Sequence, residues 1–342
     1  MDHKFRAGIV GCGNIFPMHA YPISKNDNVD LVAVCDIKQE RADAKAKELS
    51  AKAYYDYQEM IEKENLDVIH ICLPHYLHPI VAEYAFSKGL HVMTEKPMSI
   101  YLRDAKAMIE AAEKSGRTLG VIFQNRYNNS TQLIYKALRD GRLGKVKSVR
   151  MTLAWCRSDE YYSKSDWKGT WDKEGGGVII DQAIHTLDLM RYMIGEEIEF
   201  VDCSISNRAH EIIEVEDAAE GVIKFQNGIF GAFHCINYFT YDAPVELEFD
   251  CEKGRAKLTA DKSVIYYHNG DSEEAHPTGD YFHYGNVKSY WGVCHQVQIN
   301  QFYDALKKGE QPEITCYDAL KTQQMVCAMY ESGKLHKRVY LK

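Results

Sequence analysis

The first third of the chain alternates short β-rich runs with longer helix-type segments, and this alternation constrains the fold more than any other feature. The segments KQERADAKAKELSAK and SIYLRDAKAMIEAAEKSG are rich in Ala, Glu, Lys and Leu, which favour helices. The runs between them, such as VIHIC at 68–72, are apolar throughout, as in strands buried on both faces. We predict strands at 4–10, 29–35, 67–73, 90–94 and 118–122. Strands joined by helices predict a parallel sheet, and so an α/β domain over residues 1–122.

After residue 122 the pattern changes to longer strands with hairpin signals. Asn227-Gly228 lies between two β-rich runs and predicts a two-residue hairpin turn. We predict strands at 145–159, 197–210, 215–226, 229–239 and 244–251. Helices are predicted at 129–140, 178–193, about 293–308 and 315–333. Residues 123–342 should therefore form an α+β domain built on an antiparallel sheet.

Charge and composition narrow the class of partner. The net charge is -8 and no block of Lys and Arg occurs, which argues against nucleic acid or an anionic membrane surface. The sequence contains no apolar run of about eighteen residues, so no membrane span is predicted. The ten cysteines include no C-x-x-C pair, so we expect reduced thiols and no metal site. The first strand begins almost at once, leaving no room for a signal peptide, and the expected compartment is the cytoplasm.

A glycine-rich loop follows the first strand in AGIVGCGNIFPMHA. Gly11 and Gly13 let the chain turn tightly and let a pyrophosphate approach the backbone at a helix N-terminus. The third position of the fingerprint is Phe16 instead of Gly or Ala. The residues of this loop predicted to bind a dinucleotide are Gly11, Gly13, Asn14 and Ile15.

A carboxylate at the end of the second strand indicates which dinucleotide is bound. Asp36 ends LVAVCD, 23 residues after Gly13, where it can accept both adenosine ribose hydroxyls. A 2′-phosphate would meet like charge there, which favours NAD over NADP. Lys38 and Arg41 leave use of both cofactors open, and the alternative for Asp36 is a helix N-cap.

The stretch HVMTEKPMSI places a lysine at the carboxyl end of a parallel strand, the edge where such sheets bind ligands. Pro97 restricts the backbone after Lys96, and Glu95 either orients the lysine or caps the next helix. The preceding strand ends in LPHYLH, close to the same cleft. Cofactor contacts are predicted there for Leu73, His75, His78, Glu95 and Lys96, with local helix capping as the alternative for the histidines.

A second group of polar residues lies in the second domain. Asp181 and His185 are four residues apart on a predicted helix, and so share one face. Three glycines precede them and allow a ligand to approach the backbone. The aromatic loop YYSKSDWKGTW could stack on a sugar, with Trp167 and Arg157 as predicted substrate contacts. The alternatives are a surface or core role for the Asp-His pair and an interdomain core role for the tryptophans.

Three stretches together resemble the Gfo/Idh/MocA oxidoreductase family, named for glucose-fructose oxidoreductase and inositol dehydrogenase. They are GIVGCGNI, ICLPHYLHPIVAEYAFSKGLHVMTEKP and GGGVIIDQAIHTLDLMRYMIG, in the family's order and spacing. The resemblance implies a Rossmann domain and an open, mostly antiparallel sheet whose exposed face forms oligomer contacts. We accordingly expect a homodimer or homotetramer. It also implies that Lys96 contacts both the nicotinamide ribose and the substrate hydroxyl.

These residues predict an NAD-dependent oxidation of a ring secondary hydroxyl, in a sugar, glycoside or cyclitol, to a ketone. Hydride removal requires loss of the hydroxyl proton as well, and His185 is the predicted base because imidazole has an ordinary pKa of about 6.5. Lys96 would stabilise alkoxide charge, and Asp181 would hold a substrate hydroxyl and raise the basicity of His185. The alternatives are a glycosidase that retains NAD and works by transient oxidation and elimination, and a non-catalytic NAD-binding sensor.

Overall fold

The computed structural model describes residues 4–277 and 294–341, and the chain divides into two compact units. Unit 1 contains residues 1–124 and 282–320, and unit 2 contains residues 125–281 and 321–342. The first division lies close to the boundary that the sequence predicts at 122/123. The segment up to residue 320 belongs to unit 1, although the sequence analysis had assigned it to the second domain.

Unit 1 is built on a six-stranded parallel sheet with the order β3-β2-β1-β4-β5-β6. Its strands are β1 (Phe5–Val10), β2 (Val29–Cys35), β3 (Lys52–Tyr54), β4 (Val68–Ile71), β5 (His91–Thr94) and β6 (Leu119–Val121). The helices between them are α1 (Phe16–Ser24), α2 (Gln39–Leu49), α3 (Tyr57–Lys63), α4 (His78–Ser87) and α5 (Leu102–Ser115). The predicted α/β domain is confirmed, with β3 as a short edge strand that the sequence analysis missed.

Unit 2 is built on a nine-stranded sheet with the order β14-β13-β12-β11-β7-β10-β9-β8-β15. These strands are β7 (Val146–Ala154), β8 (Ile198–Ser206), β9 (Ala218–Phe225), β10 (Phe230–Ile236), β11 (Glu246–Cys251), β12 (Gly254–Thr259), β13 (Lys262–Tyr267), β14 (Ser272–Ala275) and β15 (Val339–Tyr340). Its helices are α6 (Asn129–Arg139), α7 (Asp159–Ser163) and α8 (Ile184–Ile194). Strands β7 and β10 pair in parallel and the other pairs are antiparallel, so the sheet is mixed and largely antiparallel, as predicted.

Two further helices lie within residues 294–341: α9 (His295–Lys308) in unit 1, and α10 (Cys316–Leu335), which begins in unit 1 and ends in unit 2. The buried residues Ile299, Phe302 and Tyr303 of α9 belong to the same apolar cluster as β1 and α1. Gln298 donates to the carbonyl oxygen of Val121 at 2.8 Å and accepts from the amide of Phe123 at 2.9 Å. These bonds pair backbone groups at the end of edge strand β6 that would otherwise be unsatisfied.

Four features of unit 2 differ in detail from the predictions. The predicted strands near 145 and 197 extend too far, and strands β12 to β14 and β15 were missed. The predicted helix 178–193 begins as a π-helical turn, Val178–Ala183, before α8 starts at Ile184. The hairpin turn has three residues, 226–228, between Phe225 and Ile229, and Gly228 has φ +88°. None of the helices within the described ranges has both the length and the apolarity to cross a membrane.

Candidate functional site

The glycine loop of unit 1 connects β1 to the N-terminus of α1. Gly11 has φ +98°, and a β-carbon there would lie 2.2 Å from the carbonyl oxygen of Cys72, so a glycine is required. A β-carbon on Gly13 would meet no atom within 4 Å, so the space beside the loop is open. Asn14 is exposed and Ile15 half-buried, directly before α1. The amides of Phe16 and Met18 bond the carbonyl oxygens of Gly13 and Ile15, and Pro17 has no amide hydrogen, so an anionic group would be bound by amides of the loop before the helix.

Asp36, directly after β2, is hydrogen-bonded to this loop. Its Oδ2 accepts from the amide of Cys12 at 2.9 Å, and its Oδ1 accepts from the amide of Lys38 at 2.8 Å. Helix α2 begins at Gln39 after Lys38 as its N-cap, so Asp36 is not the N-cap that the alternative interpretation required. The carboxylate is partly exposed beside the glycine loop, where it can accept hydrogen bonds from ribose hydroxyls.

The loops after β4 and β5 lie at the same carboxyl edge of the sheet. Leu73 and Lys96 are half-buried, whereas His75 and His78 are buried. The two ring nitrogens of His78 each lie 2.8 Å from a carbonyl oxygen, one of Pro97 and one of Leu73. His78 therefore ties the two loops together, and a direct cofactor contact for it stays a prediction. Burial lowers the pKa of His78.

Glu95 is buried, and its side chain contacts histidines of helices α1 and α9. Its Oε1 lies 3.0 Å from Nε2 of His19 and 3.1 Å from Nε2 of His295, and its Oε2 accepts from the backbone amide of Lys96 at 3.3 Å. Burial alone would raise the pKa of Glu95, but the hydrogen bonds from His19 and His295 hold it well below its usual range. Glu95 is thus a buried anion attached to the Lys96 backbone.

Asp181 in unit 2 lies in the π-helical turn, a kind of distortion frequent at functional sites. Its Oδ2 accepts from Lys168 Nζ at 2.8 Å, from the Tyr161 hydroxyl at 2.9 Å and from Gln182 Nε2 at 2.6 Å. Burial would lower the pKa of Lys168, but Asp181 and Tyr161 raise it well above its usual range. Asp181 lies in this turn and His185 in the first turn of α8, and both are half-buried.

Two buried carboxylates bond the backbone before this segment, Glu216 at the glycine run and Glu174 at the preceding loop. Glu216 accepts from the amides of Gly177 at 2.9 Å and Ile179 at 3.0 Å, and from the Tyr330 hydroxyl at 2.9 Å. Glu174 accepts from the amide of Gly169, and its other oxygen lies 3.6 Å from Lys168 Nζ. Burial raises the pKa of Glu174 to about 8 and of Glu216 to about 7. Sequence reasoning missed both: Glu174 bonds an amide five residues earlier in a loop without a periodic pattern, and Glu216 bonds amides 37 and 39 residues away.

Arg157 and Trp167, the predicted substrate contacts, lie near the same cluster. Arg157 Nη1 donates to Asp242 at 2.9 Å and to the carbonyl oxygen of Cys156 at 2.7 Å, and the residue is 7 % exposed. The ammonium of Lys168 lies 4.8 Å from the centre of the Trp167 ring, within the range of a cation–π contact. Arg157 therefore has protein partners already, and its contact with a substrate stays a prediction.

The glycine loop with Asp36 and Lys96 at the carboxyl edge of a parallel sheet defines a dinucleotide-binding oxidoreductase. The chain belongs to the Gfo/Idh/MocA family: residues 5–123 match the model described as "Oxidoreductase family, NAD-binding Rossmann fold", and residues 131–257 match "GFO/IDH/MocA C-terminal domain". The resemblance seen in the sequence is thereby confirmed.

Individual relatives agree with this assignment. The chain is 27% identical over 323 residues to a myo-inositol 2-dehydrogenase of Thermotoga maritima, covering 92% of this chain and 91% of the relative. It is 32% identical over 245 residues to a D-glucoside 3-dehydrogenase of Escherichia coli, covering 65% and 67%. The WlbA dehydrogenase of Bordetella pertussis, solved with NADH and UDP-GlcNAcA, is 28% identical with a TM-score of 0.88, covering 100% of this chain and 99% of that one.

Proposed function

We propose that the protein oxidises a ring secondary hydroxyl of a sugar, glycoside or cyclitol to a ketone, with NAD as the hydride acceptor. The observation that carries the proposal is the common edge of the unit 1 sheet, where β1, β4 and β5 are neighbours and end in the glycine loop, Leu73 and Lys96. Relatives named as inositol and glucoside dehydrogenases support this substrate class.

The residues of unit 1 fit a dinucleotide. The open space beside Gly13 leaves room for a pyrophosphate, the loop amides before α1 would bind it, and Asp36 would accept hydrogen bonds from the adenosine ribose hydroxyls. The Asp36 carboxylate would repel a 2′-phosphate, so we propose NAD over NADP. When bound, the nicotinamide supplies the hydride acceptor.

The chain supplies the proton and charge chemistry. His185 would take the hydroxyl proton as general base, and Lys96 would stabilise the alkoxide charge that develops on the substrate oxygen. Asp181 would accept a hydrogen bond from a substrate hydroxyl, while Lys168 and Gln182 hold the carboxylate in place. Trp167 and Arg157 are proposed as further substrate contacts.

Initial rates of NADH formation with inositols, hexoses, glycosides and nucleotide sugars test this function, with NADP run in parallel. We expect turnover with NAD and at least one polyol, and a loss of about 10²–10⁴-fold in rate for His185→Ala, as for removal of a general base. Lys96→Ala should cost a similar amount. Exposed Lys106 and His268 provide matched controls, since Lys106→Ala and His268→Ala should leave the rate unchanged.

Full activity in both site variants would refute the residue assignment. Release of aglycone from a glycoside without net NADH would refute a net dehydrogenase reaction.

A further inference from the structure

Within unit 1, four buried side chains are linked to Glu95 by hydrogen bonds, here called the hydrogen-bond chain. His19, His70, His295 and Tyr303 are each at most 4 % exposed, and Glu95 is 6 % exposed. His19 lies on α1 and His70 on β4, whereas His295 and Tyr303 come from α9, about two hundred residues further along the chain. Nothing in the cofactor or base chemistry proposed above requires these side chains.

The hydrogen bonds of this chain run in one direction. Because an ionised Glu95 can only accept from His19 Nε2, Nδ1 of a neutral His19 accepts from His70 Nδ1 at 2.9 Å, and Nε2 of a neutral His70 accepts from the Tyr303 hydroxyl at 2.8 Å. His19 Nε2 then donates to Glu95 Oε1 at 3.0 Å, which leaves His19 and His70 each with one donor and one acceptor nitrogen. His295 donates to the same oxygen at 3.1 Å. Neutral imidazoles therefore satisfy the whole chain, and the single charge lies on Glu95.

Two other uses of this cluster are a metal site and a proton relay. Nε2 of His19 and His295 and a Glu95 oxygen lie within 4.8 Å of one another, as metal ligands would. With a metal on Nε2, His19 Nδ1 would carry the proton and the Tyr303 hydroxyl would accept from His70, so the metal content of the protein distinguishes this use from positioning. A proton relay to solvent is disfavoured because the chain ends at Tyr303, which is 1 % exposed.

Glu95 connects the chain to the proposed active lysine. Its second oxygen accepts from the backbone amide of Lys96, while His78 contacts the carbonyl oxygen of Pro97 at 2.8 Å. The peptide segment that carries the Lys96 side chain is therefore held from both sides. Two donors on one oxygen restrict rotation of the Glu95 carboxylate, so its second oxygen stays directed at the Lys96 amide.

We propose that His295, His19, His70 and Tyr303 are positioning residues that fix Glu95 and, through it, the orientation of Lys96 toward the substrate. The proposal rests on the proposed function. Helix α9 thereby determines the geometry of a residue at the end of β5. A misplacement of the reacting groups by ~1 Å can lower the rate by about 10²-fold.

Two variants of His295 provide the test. His295→Leu removes the donor to Glu95, whereas His295→Gln keeps an amide donor that can reach the same oxygen. We expect His295→Leu to lower kcat by about ten- to a hundredfold, in line with misplacement of the reacting groups, with the Kd for NADH unchanged. His295→Gln should recover most of kcat. His91→Gln, at the amino end of the same strand β5, is the matched control and should keep wild-type kcat.

Tyr303→Phe keeps the packed ring and removes only the hydroxyl, so it covers the case in which His295→Leu does not fold. It should lower kcat several-fold, as expected for the loss of one donor worth about 1 kcal/mol, without changing the Kd for NADH. Unchanged kcat in folded His295→Leu and in Tyr303→Phe would overturn the proposal. A stoichiometric divalent metal in the wild-type protein, lost in His295→Leu, would also overturn it in favour of a metal site.

A second readout does not depend on turnover. Reductive methylation of Lys96, followed by peptide mass spectrometry and normalised to exposed Lys106, reports the accessibility and environment of the ammonium. We expect a changed rate in His295→Leu and a wild-type rate in His295→Gln. If no polyol is oxidised but this pattern appears, the proposed function fails and the positioning role holds. Equal Lys96 rates in all three proteins would overturn the positioning role by itself.

Discussion

At the scale of single residues, the partners of Asp181 show what a sequence motif leaves out. The i,i+4 spacing with His185 predicted one helix face, whereas Asp181 lies in a π-helical turn and His185 at the start of α8. The spacing also gave no indication of the three donors that surround the carboxylate. Lys168 lies thirteen residues earlier in a loop, and no periodic pattern connects the two positions. The side chains of Lys168 and Asp181 are 17% and 12% exposed, so their ion pair is largely removed from solvent.

Replacement of Lys168 should therefore destabilise unit 2. Lys168→Met leaves Asp181 without its cation, and we expect a loss of about 2 kcal/mol in the free energy of unfolding, below the 3–5 kcal/mol of a fully buried pair. Asp181→Asn alone should also destabilise. The double variant should lose less than the sum, by about 1 kcal/mol, since the two residues are in contact. Thermal and urea unfolding of the four proteins measures this coupling.

Exposed Lys164 and Glu160 form an i,i+4 pair that serves as the control. Its double-mutant cycle should give a coupling of no more than about 0.5 kcal/mol, as for other surface pairs. Additive effects of Lys168→Met and Asp181→Asn would show that the buried ion pair contributes no interaction energy of its own.

At the scale of elements, the two glycines of the dinucleotide loop have different tasks. Gly11 is required by the fold, because its φ of +98° and the nearby Cys72 carbonyl oxygen exclude a β-carbon. Gly13 faces open space and is required only if a ligand approaches the backbone there. The sequence predicts both glycines from one fingerprint and cannot separate these roles.

The two alanine variants should differ accordingly. Gly11→Ala should lower the melting temperature of the protein, with a cost of more than about 1 kcal/mol from the strained backbone and the clash. Gly13→Ala should keep the wild-type melting temperature but weaken NADH binding at least tenfold, because its β-carbon occupies the space beside the pyrophosphate. Calorimetry and NADH fluorescence titration distinguish the two. Wild-type NADH affinity in Gly13→Ala would contradict the placement of the pyrophosphate at this loop.

The elements that the sequence predicted well are those with local signals. The apolar strands β1, β2, β4 and β5 are bounded by helix-type segments, and their limits agree with the structure to within two residues. Among the missed strands, β12 (GRAKLT) and β14 (SEEA) contain too few apolar residues to signal a strand. Strand β13 (KSVIYY) does contain a β-rich run, which the sequence analysis overlooked. The π-helical turn at Asp181 was missed because it depends on Glu216, which binds Gly177 and Ile179 from a distant part of the chain.

At the scale of the whole molecule, unit 1 is discontinuous in sequence. Residues 1–124 contain all six strands of its sheet, but Ile299, Phe302 and Tyr303 of α9 belong to its apolar core. The change after residue 122 from alternating strands and helices to longer strands marks where one domain ends. It cannot indicate that a later helix packs in the first domain. A single boundary near residue 122 therefore cannot represent a unit that is formed by two separate segments of the chain.

A fragment of residues 1–124 should consequently fail to form a stable dinucleotide-binding unit. Each of the three α9 side chains contributes about 1.5–3 kcal/mol by burial, which together is comparable to the 5–15 kcal/mol that stabilises a typical domain. Gln298 bonds Val121 and Phe123, so a short Gly/Ser linker from residue 124 to residues 294–320 can restore the helix. We expect cooperative thermal unfolding by circular dichroism for the linked protein only, with Phe302→Ala lowering its melting temperature. Equal cooperative unfolding of both proteins would show that α9 is dispensable for this core.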